Sequence, residues 1–95
     1  MRLPYREVLQ EEGRWTQLIC LIIANPKPEV YWTRNEERVK DSANVRVYDD
    51  NSYGSLYHIT LHLTFENLVA SDYGHYKCHA ENVYGKNQGV IHLRG

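Results

Sequence analysis

Five histidines and two cysteines are the residues of this chain best equipped for chemistry, and none of them stands in a catalytic pattern. Acyl transfer needs a nucleophile, a base and an oxyanion site converging in a cleft. No serine or cysteine here sits in a nucleophile motif, so no catalytic residue is expected. The histidines are His58, His62, His75, His79 and His92. His79 and His92 read as outward-facing neighbours, and His58 and His62 share one outward face. Two imidazoles hold zinc only weakly, and a structural site wants four ligands. The expectation is therefore no metal and no cofactor. The remaining use for such residues is a pH-sensitive contact, because histidine changes charge between pH 5 and 8. Cys20 and Cys78 lie 58 positions apart, each at an inward position of an apolar run.

The elements that must position these residues are strands, because the apolar period is two. Thr16, Leu18, Cys20 and Ile22 fall on one face of the first long run. Ile59, Leu61, Leu63 and Phe65 do the same in another, against Thr60, His62 and Thr64. Tyr76, Cys78 and Ala80 form an inward set, and Ile91 and Leu93 flank His92. Turn signals separate the runs: Gly13, Asn25-Pro26-Lys27-Pro28, Asn35-Glu36-Glu37, residues 49–55, Ala70-Ser71-Asp72 and Asn82-Val83-Tyr84-Gly85. Seven or eight short strands and no helix predict an all-β sandwich of two antiparallel sheets, one domain over residues 1–95. Trp32, Tyr76, Leu18, Leu63 and Leu68 are the expected core.

The chain has 95 residues, of which 42% are apolar and 24% charged, which excludes disorder. A domain this short buries only roughly 60–65% of its unfolded surface, so a covalent staple would help. The formal net charge of −1 offers no field for nucleic acid. No apolar run reaches the roughly 20 residues of a membrane helix. Met1-Arg2-Leu3-Pro4-Tyr5 has no apolar signal core, and Met1 reads as an expression start. The chain is read as a fragment of a larger multidomain protein, with any signal or anchor outside it. There is no Asn-x-Ser/Thr sequon, so glycosylation says nothing of the compartment.

Three motifs then carry a resemblance. Asp72-Tyr73-Gly74-His75-Tyr76-Lys77-Cys78 resembles the D-x-G-x-Y-x-C signature of immunoglobulin superfamily domains. Pro26-Lys27-Pro28-Glu29-Val30-Tyr31-Trp32 resembles the P-x-P-x-V-x-W of the intermediate, or I, set. Ala80-Glu81-Asn82-Val83-Tyr84-Gly85 resembles the A-x-N-x-x-G of the same set. The resemblance implies an immunoglobulin-like I-set (C2-type) sandwich with Greek-key connections and a Cys20–Cys78 disulfide packed on Trp32. It also implies that the Tyr76 hydroxyl bonds backbone near Val69–Asp72, and that Asp72 pairs with a basic residue, for which Arg46 is the candidate. Thr16, at a usually apolar position, and Asn25, where glycine is common, depart from the pattern. More narrowly, the long segment around residues 49–55, Leu61-His62-Leu63-Thr64 and Gly89-Val90-Ile91-His92-Leu93 are similar to the third immunoglobulin domain of lachesin, IgLON and DIP-type neural adhesion proteins. Those are cell-surface, often lipid-anchored proteins of three tandem domains.

Two outward faces are candidate protein contacts. On the sheet carrying Trp32 and Cys78, alternation exposes Tyr31, Thr33, Lys77, His79, Glu81, Val90 and His92; Tyr31, His79 and His92 are the candidates. On the other sheet it exposes Trp15, Gln17, Ile19, Leu21 and Ile23. Four of these are large and apolar, so either the domain covers them or a partner does. The expected function is an extracellular module of a neuronal cell-surface adhesion protein or receptor, anchored at the plasma membrane by its parent chain. Its expected partners are neighbouring immunoglobulin domains and other cell-surface proteins, with no nucleic acid and no small-molecule substrate. The alternatives are a structural I-set domain of an intracellular muscle or cytoskeletal giant protein, or a ligand-holding receptor ectodomain. Two cysteines at the bridging positions with no spare thiol favour the oxidising compartment.

Overall fold

The computed structural model describes residues 1–51 and 57–95. Among the described residues eight strands follow one another: β1 (Glu7–Leu9), β2 (Thr16–Ile23), β3 (Glu29–Arg34), β4 (Glu37–Arg38), β5 (Val45–Asn51), β6 (His58–Phe65), β7 (Gly74–Asn82) and β8 (Gly85–Arg94). They form a three-stranded sheet in the order β2-β6-β5 and a five-stranded sheet in the order β1-β8-β7-β3-β4. The chain changes sheets after β1, β2, β4 and β6, with the crossovers of a Greek key. Asp49, Asp50 and Asn51 of the turn expected at residues 49–55 close β5; the rest of that turn lies outside the described residues.

Each alternating run delivers its apolar half to one core. Leu18, Cys20 and Ile22 of β2, Ile59, Leu61, Leu63 and Phe65 of β6, Tyr76, Cys78 and Ala80 of β7, Ile91 and Leu93 of β8, Trp32 and Leu68 are all buried in one cluster. Thr16 is buried with them, polar where the pattern prefers an apolar residue. Tight turns set the registers. Asn35 and Glu36 both take positive φ, 51° and 67°, which gives the β3–β4 hairpin a twist matching its strands. Val83 and Tyr84 close the β7–β8 hairpin, with Asn82 opposite Gly85.

The expectation of purely antiparallel sheets needs one correction. β1 pairs with β8 in parallel, Val8 opposite Leu93. The cause is the path of the N-terminal segment. Arg2 exchanges two backbone hydrogen bonds with Leu21 on the free edge of β2, at 2.6 and 2.8 Å. The Tyr5 hydroxyl then donates to the Gln17 carbonyl at 3.0 Å. Beyond Pro4 and Arg6 the chain crosses to the other sheet, where His92 N donates to the Arg6 carbonyl and Gln10 N to the Arg94 carbonyl. One short segment thus covers part of an edge of each sheet, which narrows two sites of unwanted strand pairing.

Candidate functional site

The disulfide joins Cys20 of β2 to Cys78 of β7 and so ties the two sheets together. Trp32 lies directly opposite Cys78 on β3 and is fully buried. At the base of β7, the Tyr76 hydroxyl donates to the Asp72 carbonyl, within the stretch expected from the motif. Its neighbour is Arg34, which sequence reasoning missed. Arg34 Nη1 donates to the Tyr76 hydroxyl at 3.3 Å, Nη2 donates to the Tyr73 carbonyl at 2.7 Å, and the guanidinium lies 5.4 Å from the Tyr76 ring centre. Gly74 makes room for it: a Cβ there would stand 3.3 Å from Arg34 Nε. Burial pushes the Tyr76 hydroxyl up to about 12, against the opposing pull of Arg34.

The expected Asp72–Arg46 ion pair does not form. The Asp72 carboxylate turns back to accept from Val69 N at 2.9 Å, capping its own turn. Arg46 sits on the outer row of the three-stranded sheet opposite Thr64, and approaches Glu66 at 3.9 Å. Both of those side chains are more than half exposed, so that contact contributes little.

On the five-stranded sheet, Tyr31 stands opposite His79, and their rings stack with centres 4.6 Å apart. The Arg38 guanidinium lies 4.6 Å from the Tyr31 ring centre, so a cation, a phenol and an imidazole are lined up across β4, β3 and β7. His79 Nε2 is 2.7 Å from Thr33 Oγ1. Burial, helped by the charge of Lys77, holds the His79 imidazole below its ordinary value. Beside this stack a cleft of about 340 Å³ opens between Glu81, Lys86, Asn87 and Gln88. Aromatic and polar side chains line this region, which suits contact with another protein surface. His92 is not part of it. Its register partner is His75, and His79 stands opposite Gln88, so the expected His79–His92 neighbourhood is corrected. The signal for this was present: a two-residue turn at Val83–Tyr84 determines which residues of β7 and β8 face each other.

On the three-stranded sheet the four apolar residues of β2 do not make one exposed stripe. Trp15 and Ile23 are exposed, at 56% and 64%, and stand at the two ends of the strand. Ile19 and Leu21 between them are half-buried. Ile19 shares its row with His62 and Tyr48, whose rings stack at 4.3 Å. Gln17 Nε2 donates to the Tyr48 hydroxyl and to Thr64 Oγ1, and His62 Nε2 meets Asp50 at 3.2 Å. Leu21 is flanked by the Arg2 bridge. The domain therefore covers the middle of this face and leaves its ends open.

The immunoglobulin I-set domain model matches residues 1–94. The chain is 39% identical over 69 residues to the muscle M-line assembly protein unc-89 of Caenorhabditis elegans, a match over 72% of this chain and 1% of that protein. It is 29% identical over 93 residues to contactin-3 of Mus musculus, over 97% of this chain and 8% of that protein. Among solved structures, the crystal structure of Dpr2 Ig1-Ig2 in complex with DIP-Theta Ig1-Ig3 contains a chain that superimposes with a TM-score of 0.90 at 27% identity, over 98% of this chain and 30% of that one. The chain thus spans less than a tenth of these two curated relatives.

Proposed function

This chain belongs to the immunoglobulin I-set family, a non-enzymatic protein-interaction fold, and from that premise we propose that it is an extracellular module of a neuronal cell-surface adhesion protein or receptor. It sits in a longer, membrane-anchored chain of immunoglobulin domains, contacts other immunoglobulin domains and spaces its neighbours. Tyr31, His79 and the cleft beside them form the contact face. His92, lower on the same sheet, and Trp15, Ile19, Leu21 and Ile23 on the other sheet form its secondary contacts.

The observation that carries the extracellular assignment is the Cys20–Cys78 bridge, which consumes both cysteines of the chain. Such bridges persist outside the cell and are rare in the cytosol. The likeness to a chain of the Dpr2–DIP-Theta complex supports the same assignment, and a 30% share of that chain is the share of one domain in three. The test is intact mass with and without reductant, on natural parent protein taken from its own compartment. A mass lower by two hydrogens in the untreated sample is expected. A fully reduced, folded native domain would overturn the assignment.

A second reading has its own support. Identities of 39% to unc-89 and 38% to the titin homolog of Caenorhabditis elegans point to a structural domain of an intracellular muscle giant protein. The same mass measurement separates the two, because that reading expects free thiols.

A further inference from the structure

We propose that His75 and His92 form a surface site for a divalent transition-metal ion, zinc being the type case. The β7–β8 hairpin places them directly opposite one another. Both face away from the core, since Tyr76, Ile91 and Leu93 beside them are buried. Their rings are stacked face to face, with centres 4.1 Å apart and planes 7° apart. No ring nitrogen of either is hydrogen-bonded among the described residues, so ligation displaces no existing partner.

The cross-strand register brings both imidazoles within reach of one ion. Tetrahedral zinc with bonds of about 2.0–2.1 Å holds two nitrogens about 3.3 Å apart. As stacked, the two rings hold their nitrogen lone pairs in nearly parallel planes that do not converge, so ligation requires the pair to unstack; His75 is exposed and free to turn about its side-chain torsions until its nitrogen and that of His92 meet at one ion. Imidazole is a ligand that zinc, copper and nickel all accept.

Surrounding charges set the strength. Glu7 of β1 lies in register with His92 on the side away from His75, and its carboxylate is held 3.7 Å from Arg94. Lys77 lies two residues along β7 on the same face, and its charge opposes the ion. No three ligating side chains converge among the described residues. The protein therefore supplies two ligands and water the rest. Binding is weak and exchangeable, and the open positions are available to a ligand from a partner docked on this sheet. Zinc binding here does not depend on the compartment assigned above.

The test uses tag-free protein titrated with zinc chloride, followed by calorimetry and by NMR of the imidazole resonances. One ion per chain is expected, with shifts confined to His75 and His92. His75→Gln and His92→Gln should each weaken binding at least about tenfold, since even outer-shell partners of a metal cost 10–100-fold. Both substitutions lie on the outward side of their strands, and melting without metal checks that the fold survives. A double variant that binds zinc as tightly as the wild type overturns the site, as does a wild type that binds none at millimolar zinc. The wild-type spectra decide the matter alone if a variant fails to fold: shifts at His58, His62 or His79 in place of His75 and His92 overturn it.

Discussion

Reducing the Cys20–Cys78 bridge should lower stability by an amount set by the loop it closes. That loop spans 58 positions, and removing the cross-link restores unfolded-chain entropy worth roughly 4 kcal/mol. Domains of this size are stable by about 5–15 kcal/mol in all, so the bridge supplies a large part. Each kcal/mol moves the melting temperature of a 60–100-residue domain by about 4–8 °C, so the expected drop is roughly 15–30 °C. The assay is thermal unfolding by circular dichroism, with and without reductant, with intact mass confirming the redox state. The fold should survive reduction at low temperature, because Trp32, Phe65 and the leucines of β2 and β6 pack around the sulfurs without needing the bond. A reduced protein melting within about 5 °C of the oxidised one would refute the entropy account. It would mean that the core alone holds the sheets, as a cytosolic relative would require.

Tyr76→Phe should cost about 1–3 kcal/mol, because it leaves the Asp72 carbonyl and an Arg34 N–H short of a partner; urea unfolding measures it. The same hydroxyl is raised to about 12 in the fold against about 10 when unfolded. The unfolded chain therefore loses its proton first, and stability should fall as pH rises from about 10 toward 12, less steeply in the Phe variant. Gly89→Ala would place a Cβ 2.7 Å from Leu3 Cδ1 and should cost about 1–3 kcal/mol. Combined with Leu3→Ala it should cost less than the two single changes summed, which a double-mutant cycle of urea melts checks. Asp41→Ala frees Val47 N, which the carboxylate now accepts from at 2.7 Å on the open edge of β5. A loss of about 0.5–1.5 kcal/mol is expected, with concentration-dependent association by sedimentation as the edge becomes available.

The core was legible because period-two alternation maps directly onto burial. Every inward position read from β2, β6, β7 and β8 is buried. Tyr76 was legible for a local reason: its partner lies four residues away in a turn that its own motif defines. What failed depended on how separate strands come together. Arg46 was chosen for Asp72 by charge alone, yet Asp72 is satisfied within its own turn and the arginine that matters, Arg34, arrives from β3. The parallel pairing of β1 was illegible because three residues carry no periodic signal, and their placement follows from the Arg2–Leu21 bridge on the opposite sheet. The apolar stripe of β2 was read correctly as facing outward, but its cover comes from Tyr48 and His62 on two other strands. The His75–His92 pair was within reach, since it follows from counting outward from the Val83–Tyr84 turn.

The parallel β1–β8 pair has a mechanical consequence. Tension applied to the two ends of the chain draws β1 and β8 in opposite directions along their common axis. The bonds from His92 N to Arg6 and from Gln10 N to Arg94 lie across that pull and are loaded together, in shear. A hairpin pulled from its open end would instead peel, one bond at a time. Three residues of strand, placed in this direction, therefore act as a clamp between the ends of the domain, loaded once the Arg2–Leu21 bridge ahead of it has parted.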